Sequence, residues 1–311
     1  MPSKIRGCRP AHRAVFAVAC VAFAAGCDLF PGKKAGAFDA DAALARVKIQ
    51  LDFGYRIPNT PAHVKTGDWI VAELRVRADT VIEQRWDHVT ANGDTLHLRN
   101  ILARFRPADK ARVLYLTHWD TRPISDEAAD SASKRLPMPG ANDGASGVAL
   151  LIGVADALKQ VPPSTGVDLL FVDGEDYGQF NPTLQDVLLG STWFASHLPE
   201  AGYAPLYGVL FDMIGDADLA IYEEGNSMQR APEVVSKVWG KARDLGLREV
   251  FIPTGKWTVT DDHLPLLDKG LRVIDVIDLD YPYHHTPQDT FDKVSAASLK
   301  KVGDLAVGLL R

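Results

Sequence analysis

The feature that most constrains the fold is the alternation of short, nearly continuous apolar runs with segments of helical spacing. Residues 113–116 and 167–172 carry such runs, which are typical of strands buried on both faces of a sheet. A helical pattern separates them. Along the whole chain these patterns predict strands at 80–86, 96–104, 112–117, 167–172, 207–211 and 273–277, and helices at 39–52, 68–77, 146–158, 191–197, 233–245 and 297–310. This order predicts an α/β fold, a single domain with a mostly parallel, twisted central sheet flanked by helices on both faces.

The N-terminal segment predicts export. Basic residues up to Arg13 precede an apolar run at 14–26 that is too short to span a bilayer, so residues 1–26 read as a signal peptide. The end of this run, Ala24–Cys27, resembles a bacterial lipobox, in which Cys27 becomes the lipidated first residue; an ordinary cleaved signal is the alternative. Residues 27–37 would form a tether and 38–311 the folded domain. We therefore expect a periplasmic lipoprotein anchored in a membrane through Cys27, and Asp28 favours the inner membrane.

Charge and cysteine content exclude several classes of protein. The chain carries 34 basic and 40 acidic residues, and four of the basic ones lie in the first 26 residues, which leaves 30 against 40 beyond them. Such an acidic body lacks the basic surface of a nucleic-acid-binding protein. All three cysteines, Cys8, Cys20 and Cys27, belong to the N-terminal segment, so the body offers no disulfide, thiolate ligand or cysteine nucleophile.

Polar side chains gather where the predicted strands end. They are His118 and Asp120 after the third strand, Asp143 before the following helix, Glu175 and Asp176 after the fourth strand, Asp212 after the fifth, and His284 and His285 after the sixth. Parallel strands end at one edge of a sheet, so these side chains are expected to converge there. Carboxylates and imidazoles without thiolates are a ligand set that suits zinc.

Each of these residues also has a purely structural interpretation. Asp143 lies among glycines and could be a turn residue or a helix N-cap. Glu175 and Asp176 could form a solvated turn, although carboxylates that leave a buried strand are costly unless a cation lies between them. Five further histidines of the folded domain are expected to be surface residues or hydrogen-bonded core residues: His63, His88, His97, His197 and His263.

Seven motifs stand in order along the body: His118–Asp120, Gly140–Gly147, Val172–Asp176, Leu189–Ser191, Phe211–Gly215, Asp261–His263 and His285–Thr286. With them, the chain from about Phe53 onward resembles the zinc aminopeptidase superfamily and, within it, the animal-type and bacterial glutaminyl-peptide cyclotransferases, or glutaminyl cyclases. The resemblance implies the fold of that superfamily. It also implies that Asp143, Asp176 and His285 bind one catalytic zinc and that Glu175 is the general acid/base. Asp212 and Asp261 would form the hydrogen-bond network of Glu175.

The aminopeptidases of this superfamily suggest a second metal. Positions matching His118 and Asp212 would bind it, with Asp143 as the bridge between the two ions. Asp120 resembles the carboxylate that orients the imidazole of His118. The resemblance therefore implies one zinc and permits a second.

The chain departs from the cyclases at two positions. His284 stands where they have a tryptophan before the zinc histidine, and Asp275 replaces a histidine. An aromatic wall for the substrate pocket would then come from Trp257, Tyr177 or Tyr283, of which Trp257 is preferred, with His284 as a second substrate-binding residue. Which of the adjacent residues His284 and His285 binds the metal stays open, and His285 is preferred because His-Thr is the family pairing.

Three functions follow from this resemblance. The preferred one is a glutaminyl-peptide cyclotransferase, which converts an N-terminal glutamine of a peptide or protein to pyroglutamate with release of ammonia. The alternative is a zinc aminopeptidase, which needs a carboxylate to deprotonate a metal-bound water. A catalytically inactive, lipid-anchored binding protein is the third. The sequence does not set the oligomeric state, and membrane association is expected through the anchor alone.

Overall fold

The central sheet has six strands. The computed structural model describes residues 1–3, 35–180 and 182–311. The strands are β1 (Thr80–Val89), β2 (Thr95–Phe105), β3 (Arg112–His118), β4 (Gly166–Val172), β5 (Tyr207–Asp212) and β8 (Val273–Ile277), and they lie in the order β1-β2-β4-β3-β5-β8. β4, β3, β5 and β8 pair in parallel, whereas β2 pairs antiparallel with both β1 and β4. The predicted α/β fold is confirmed, with two antiparallel pairings at one edge of the sheet.

Helices cover both faces of this sheet. They are α1 (Ala40–Phe53), α2 (Pro61–Arg75), α3 (Ala145–Gln160), α4 (Leu189–Ser196), α5 (Gly225–Arg230), α6 (Pro232–Asp244), α7 (His263–Asp268) and α8 (Ala296–Leu309). Successive strand residues point to opposite faces. Leu169 packs into the larger core with α1, α3 and α8, and Leu170 packs into a second core with Phe194 of α4 and Leu266 of α7. This is the two-sided burial expected of nearly continuous apolar strands.

Two short strands and two short α-helices were absent from the sequence prediction. β6 (Ile221–Glu223) and β7 (Phe251–Gly255) form a separate two-stranded parallel sheet, and the other two are α5 and α7. α2 also begins at Pro61, seven positions before the predicted start at 68, because Thr60 caps it by accepting the His63 N–H at 3.2 Å.

The N-terminal predictions fall largely on residues that the structure does not describe. The signal peptide beyond residue 3 and the lipidated Cys27 are among them. From residue 35 onward the chain belongs to one compact unit, in which Phe38 is buried. Among the described residues, no helix combines the length and the apolar character that a membrane span requires.

Candidate active site

The residues that the sequence singled out do converge at the carboxyl ends of the parallel strands. His118 ends β3, Asp212 ends β5, and the loop after β4 carries Glu175 and Asp176. The order of the strands reverses around β3, because the chain moves to β4 on one side and later to β5 on the other, and such a switch point opens a crevice. A cavity of about 430 Å³ lies there. Its polar lining comprises Asp126, Glu127, Asp143, Glu175, Gln179, Asp212, Thr258, Thr260, Asp261, His284 and His285.

One group of side chains fits a metal ion. The ligand atoms of Asp143, Asp176 and His285 lie within 4.8 Å of one another, and all three residues are buried. His285 Nε2 lies 3.3 Å from Asp176 Oδ1 and 3.9 Å from Asp143 Oδ2. Zinc bonds of about 2.0–2.1 Å place tetrahedral ligands about 3.3 Å apart. Asp176 Oδ2 is also buried without a hydrogen-bond partner among the described residues, so the donor set fits zinc.

A second group shares Asp143. His118 Nε2 lies 3.0 Å from Asp143 Oδ1 and 3.2 Å from Asp212 Oδ1, and these three residues also lie within 4.8 Å of one another. Here the separations are those of hydrogen bonds. Burial opposes a charge on His118, but the carboxylate of Asp212, with those of Asp120 and Asp143 nearby, outweighs it and raises the pKa of His118 well above the ordinary value. The negative potential at this edge of the sheet therefore attracts cations.

Glu175 lies in the same cavity but outside both groups of ligand atoms. Burial, reinforced by the neighbouring Asp176, raises its pKa well above the ordinary value. Burial and the charge of Asp212 likewise raise the pKa of Asp261, whose Oδ1 accepts the Asp262 N–H at 2.5 Å. A buried carboxyl group with a raised pKa is suited to exchange protons with a substrate.

Asp120, which was expected to orient the imidazole of His118, instead binds the loop after β4. Its Oδ1 and Oδ2 accept the backbone N–H groups of Glu175 and Asp176, both at 3.1 Å. The distance from Asp120 Oδ1 to His118 Nδ1 is 3.7 Å, which is beyond a hydrogen bond. In this geometry Asp120 holds the loop that carries Glu175 and Asp176 more directly than it orients His118.

The backbone around Asp143 is held by two residues that sequence reasoning missed. Arg56 is fully buried and donates to the carbonyl oxygens of Trp119 at 3.1 Å and Gly140 at 2.6 Å. Asp289 accepts the Asp143 N–H at 3.1 Å. The N-cap of α3 is Gly144, with no side-chain capping bond, so the structure gives Asp143 no role as a helix cap. Arg56 lies near Phe53, where the resemblance to the zinc aminopeptidase superfamily begins, so the sequence offered a signal for it. No sequence pattern pointed to Asp289.

The two adjacent histidines have different surroundings. His285 belongs to the group with Asp143 and Asp176, and its backbone has a φ of +50°, a conformation rare for a residue with a side chain. His284 Nδ1 lies 3.3 Å from Glu127 Oε2, and its ring packs against that of His285 with 3.8 Å between centroids. The geometry therefore favours His285 as the metal ligand, while His284 lines the cavity.

The apolar wall of the cavity comes from residues other than the predicted aromatics. It comprises Phe180, Met213, Val259, Ile277 and Leu279. Trp257, Tyr177 and Tyr283 do not line the cavity, and Trp257 is 40% exposed, with its Nε1 donating to Asp280 Oδ1 at 3.2 Å. Phe180 follows Glu175 and Asp176 closely in the chain, and this was the only feature of the sequence that pointed to Phe180 as a residue of the cavity wall.

The other histidines of the described chain mostly have the structural roles expected of them. His63 is buried, stacks on Trp119 and lies with Nε2 2.8 Å from Asp173 Oδ1. His88 and His97 pair with carboxylates, and His197 is exposed. His263 is fully buried, but among the described residues neither ring nitrogen has a hydrogen-bond partner. Its nearest carboxylate oxygen is Glu224 Oε2, at 3.4 Å.

Known proteins share this fold. A glutaminyl cyclase of Bacteroides thetaiotaomicron, solved with N-acetylhistamine, is 36% identical, with a TM-score of 0.85 over 88% of this chain and 98% of that chain. A Zn-dependent exopeptidase from Parabacteroides distasonis is 34% identical, with a TM-score of 0.85 over 89% of this chain and 99% of that chain. The Drosophila melanogaster glutaminyl-peptide cyclotransferase is 25% identical over 272 residues, 78% of this chain and 73% of that protein.

These similarities confirm the resemblance inferred from the seven motifs. They include cyclases as well as exopeptidases, so they support zinc chemistry on peptide N-termini without separating the two activities. The model of peptidase family M28 matches residues 100–310, which is more than half of the chain. The chain belongs to peptidase family M28.

Proposed function

We propose that this protein is a zinc-dependent glutaminyl-peptide cyclotransferase, exported and tethered in the periplasm. The observation that carries the proposal is the position of Glu175, a buried carboxyl group with a raised pKa, in one cavity with Asp143 and His285, which form a ligand group with the buried Asp176. These three residues would hold the zinc. When bound, zinc would supply Lewis acidity towards the γ-carbonyl oxygen of an N-terminal glutamine.

The protein's own residues would then move one proton. In the cyclisation, the α-amino nitrogen forms a bond to the γ-carbonyl carbon, and the bond from that carbon to the amide nitrogen breaks. Glu175 would accept a proton from the α-amine and return it to the departing nitrogen, which leaves as ammonia. The nucleophile belongs to the substrate itself, so holding the glutamine in a bent conformation supplies much of the rate. Phe180, Met213 and Ile277 provide apolar surface for its methylene groups and for the exclusion of water.

The cyclase needs a single zinc, which Asp143, Asp176 and His285 can hold without a second ion. Glutaminyl cyclases are also among the solved structures that this chain is similar to. A specific observation also favours the aminopeptidase as second candidate, since His118, Asp143 and Asp212 form a complete second ligand group.

One assay with two substrates separates these functions. The purified protein is incubated with a glutaminyl peptide and, separately, with a leucyl peptide, while ammonia, free leucine and bound zinc per chain are measured. We expect ammonia without peptide-bond cleavage, and one zinc. Free leucine with two metal ions would replace the cyclase by the aminopeptidase. The absence of both ammonia and free leucine would reject both enzyme functions and leave the inactive binding protein.

A further inference from the structure

A buried arginine lies behind two of the three metal-ligand candidates. Arg122 is 1% exposed and follows His118–Asp120 in the loop after β3. Its Nη1 donates to Asp176 Oδ1 at 2.6 Å and to the Asp176 carbonyl oxygen at 3.3 Å. Its Nε and Nη2 donate to the two carboxylate oxygens of Asp126 at 2.7 and 3.1 Å. The planar guanidinium thereby fixes two carboxylates relative to each other, which a lysine could not do with the same geometry.

Asp126 connects this arginine to the third candidate. Its Oδ1 lies 3.3 Å from Nδ1 of His285, while Nε2 on the other side of the ring faces Asp176 and Asp143. A neutral imidazole has one N–H group and one nitrogen with a free lone pair. A hydrogen-bond acceptor beside one nitrogen places the N–H group there and leaves the lone pair on the other nitrogen. A carboxylate at Nδ1 therefore holds the proton there and leaves the lone pair of Nε2 for a metal.

The surrounding backbone and side chains support the same orientation. The Glu127 N–H, next to Asp126 in the chain, donates to the His285 carbonyl oxygen at 3.2 Å, across the positive-φ backbone of His285. The ring of Phe180 lies 5.6 Å from the Arg122 guanidinium and 6.4 Å from the His285 ring. These contacts limit the rotation of the Arg122 guanidinium and of the His285 imidazole.

We propose that Arg122 and Asp126 are positioning residues of the metal site. Asp126 fixes the tautomer and the ring direction of His285, and Arg122 holds Asp126 and Asp176 at the spacing that the metal requires. This inference rests on the zinc site of the proposed function, but it does not depend on whether the enzyme cyclises glutamine or hydrolyses peptides.

The decisive variant is Asp126→Asn, measured by zinc titration of the metal-free full-length protein against a chelating dye. Loss of a carboxylate partner of a metal-bound histidine weakens metal affinity by about 10- to 100-fold, and that is the expected change. Added zinc should restore most of the turnover. Asp186→Asn is the matched control, because Asp186 also places a carboxylate oxygen against a histidine, 2.8 Å from His88 Nε2, but does not line the cavity. A zinc affinity of Asp126→Asn equal to that of wild type and Asp186→Asn would overturn the role of Asp126.

Arg122→Lys tests the other half of the proposal. It keeps the positive charge but loses the fork between Asp126 and Asp176, so zinc affinity should fall. Its control is Arg112→Lys, because Arg112 is equally buried and donates to both oxygens of Asp168, at 2.6 and 2.7 Å, at the opposite end of β3. Both variants are expected to lose thermal stability, and only Arg122→Lys should lose zinc affinity. Equal stability losses with unchanged zinc affinity in both would show that Arg122 has a structural role alone.

The zinc measurement separates this inference from the proposed function. Weakened zinc binding in Asp126→Asn, together with free leucine from the wild type, would retain the positioning pair and reject the cyclase. Ammonia release by the wild type, together with unchanged zinc affinity in Asp126→Asn and Arg122→Lys, would retain the cyclase and reject the positioning pair.

Discussion

Glu175 and Asp176 are neighbours in the chain, yet their environments drive their pKa values in opposite directions. Burial tends to raise the pKa of Asp176, but the charges of His285 and Arg122 outweigh it and lower the value to about 2. Glu175 lies 3.7 Å from His118 Nδ1, but burial together with the charge of Asp176 outweighs this neighbour and raises the pKa of Glu175. Paired carboxylates with separated pKa values are the usual means by which one site obtains both a permanent anion and a proton carrier. Asp176 is therefore suited to bind a cation, and Glu175 to carry a proton.

This separation of roles predicts the behaviour of Glu175→Gln. The amide keeps the size of the side chain but cannot accept a proton, so kcat should fall by about 100-fold or more. Zinc content should remain near that of wild type, because Glu175 belongs to neither group of ligand atoms. Activity and metal content are measured on the same preparation. A variant that loses its zinc would show that Glu175 is a ligand instead.

At the scale of elements, the loop before α3 determines where Asp143 lies. Gly140 has a φ of +67°, and a Cβ placed there would lie 2.4 Å from Thr121 Cγ2 and 2.6 Å from both Arg56 Nη2 and the Asp143 carbonyl oxygen. Arg56 and Asp289 hold the same loop from two sides. The loop has little room to move without moving Asp143.

Gly140→Ala should therefore destabilise the protein and weaken zinc binding together. Gly93 is the control, because its φ is +88° and nothing lies within 4 Å of an added Cβ. Gly93→Ala carries only the cost of a positive φ, roughly 1 kcal/mol. Gly140→Ala adds steric overlap and should exceed that loss in a denaturant titration. Equal losses in the two variants, with zinc affinity unchanged, would contradict a rigid loop.

The end of β8 predicts a pH dependence of stability. Asp278 is 1% exposed, and its oxygens accept the N–H groups of Ala220 at 3.0 Å and Asp280 at 3.2 Å. Burial is the main cause that raises its pKa to about 7 in the fold. An unfolded aspartate titrates near pH ~3.9, so between about pH 4 and 7 the folded state binds more protons than the unfolded state. The contribution of Asp278 to stability is thus complete at low pH and declines as pH rises through this window.

Asp278→Asn isolates this contribution. The amide removes one acceptor at every pH, so wild type should be the more stable protein at pH 5. That advantage should shrink towards pH 8, by at most about 1.4 kcal/mol per pH unit. The free energy of unfolding of both proteins is compared at each pH. An advantage that stays constant or grows as pH rises would contradict the raised pKa.

The predicted elements show which signals the sequence carries. The six strands of the main sheet and six long helices have apolar patterns that extend over enough residues to be recognised. β6, β7, α5 and α7 contain three to six residues, too few for a period to emerge. The first turn of α2 was hidden for another reason, since its buried His63 and Thr66 are polar and interrupt the apolar spacing.

At the scale of the whole molecule, the site could be predicted because topology brings the strand ends together. His118, Glu175, Asp176 and Asp212 needed only the assumption of a parallel sheet. The contacts that hold these site residues in place could be identified only in the folded structure. Arg56 reaches Gly140 across 84 positions, and Asp289 reaches Asp143 across 146. No local pattern records such pairs, and the same holds for Phe180, which replaces Trp257 in the wall of the cavity.

The whole molecule also combines this site with an N-terminal segment whose proposed purpose is attachment. In the described chain, Gly36 is tied to the body by its N–H to Gln160 Oε1 at 2.9 Å and by its carbonyl to Arg311 Nη2 at 2.6 Å. All candidate site residues follow this point. A protein that starts at residue 35 should therefore keep the zinc content and turnover of the complete chain.

Lipid attachment is tested on the complete chain by labelling a Gram-negative host with a radioactive fatty acid. Cys27→Ser should lose the label, because the lipobox thiol is the proposed site of attachment. Cys20→Ser is the matched control, since Cys20 lies in the apolar run ahead of the lipobox, and it should keep the label. A label that persists in Cys27→Ser would show that the lipid is attached elsewhere than at Cys27, and a wild-type chain without label would replace the lipoprotein by an ordinary secreted protein.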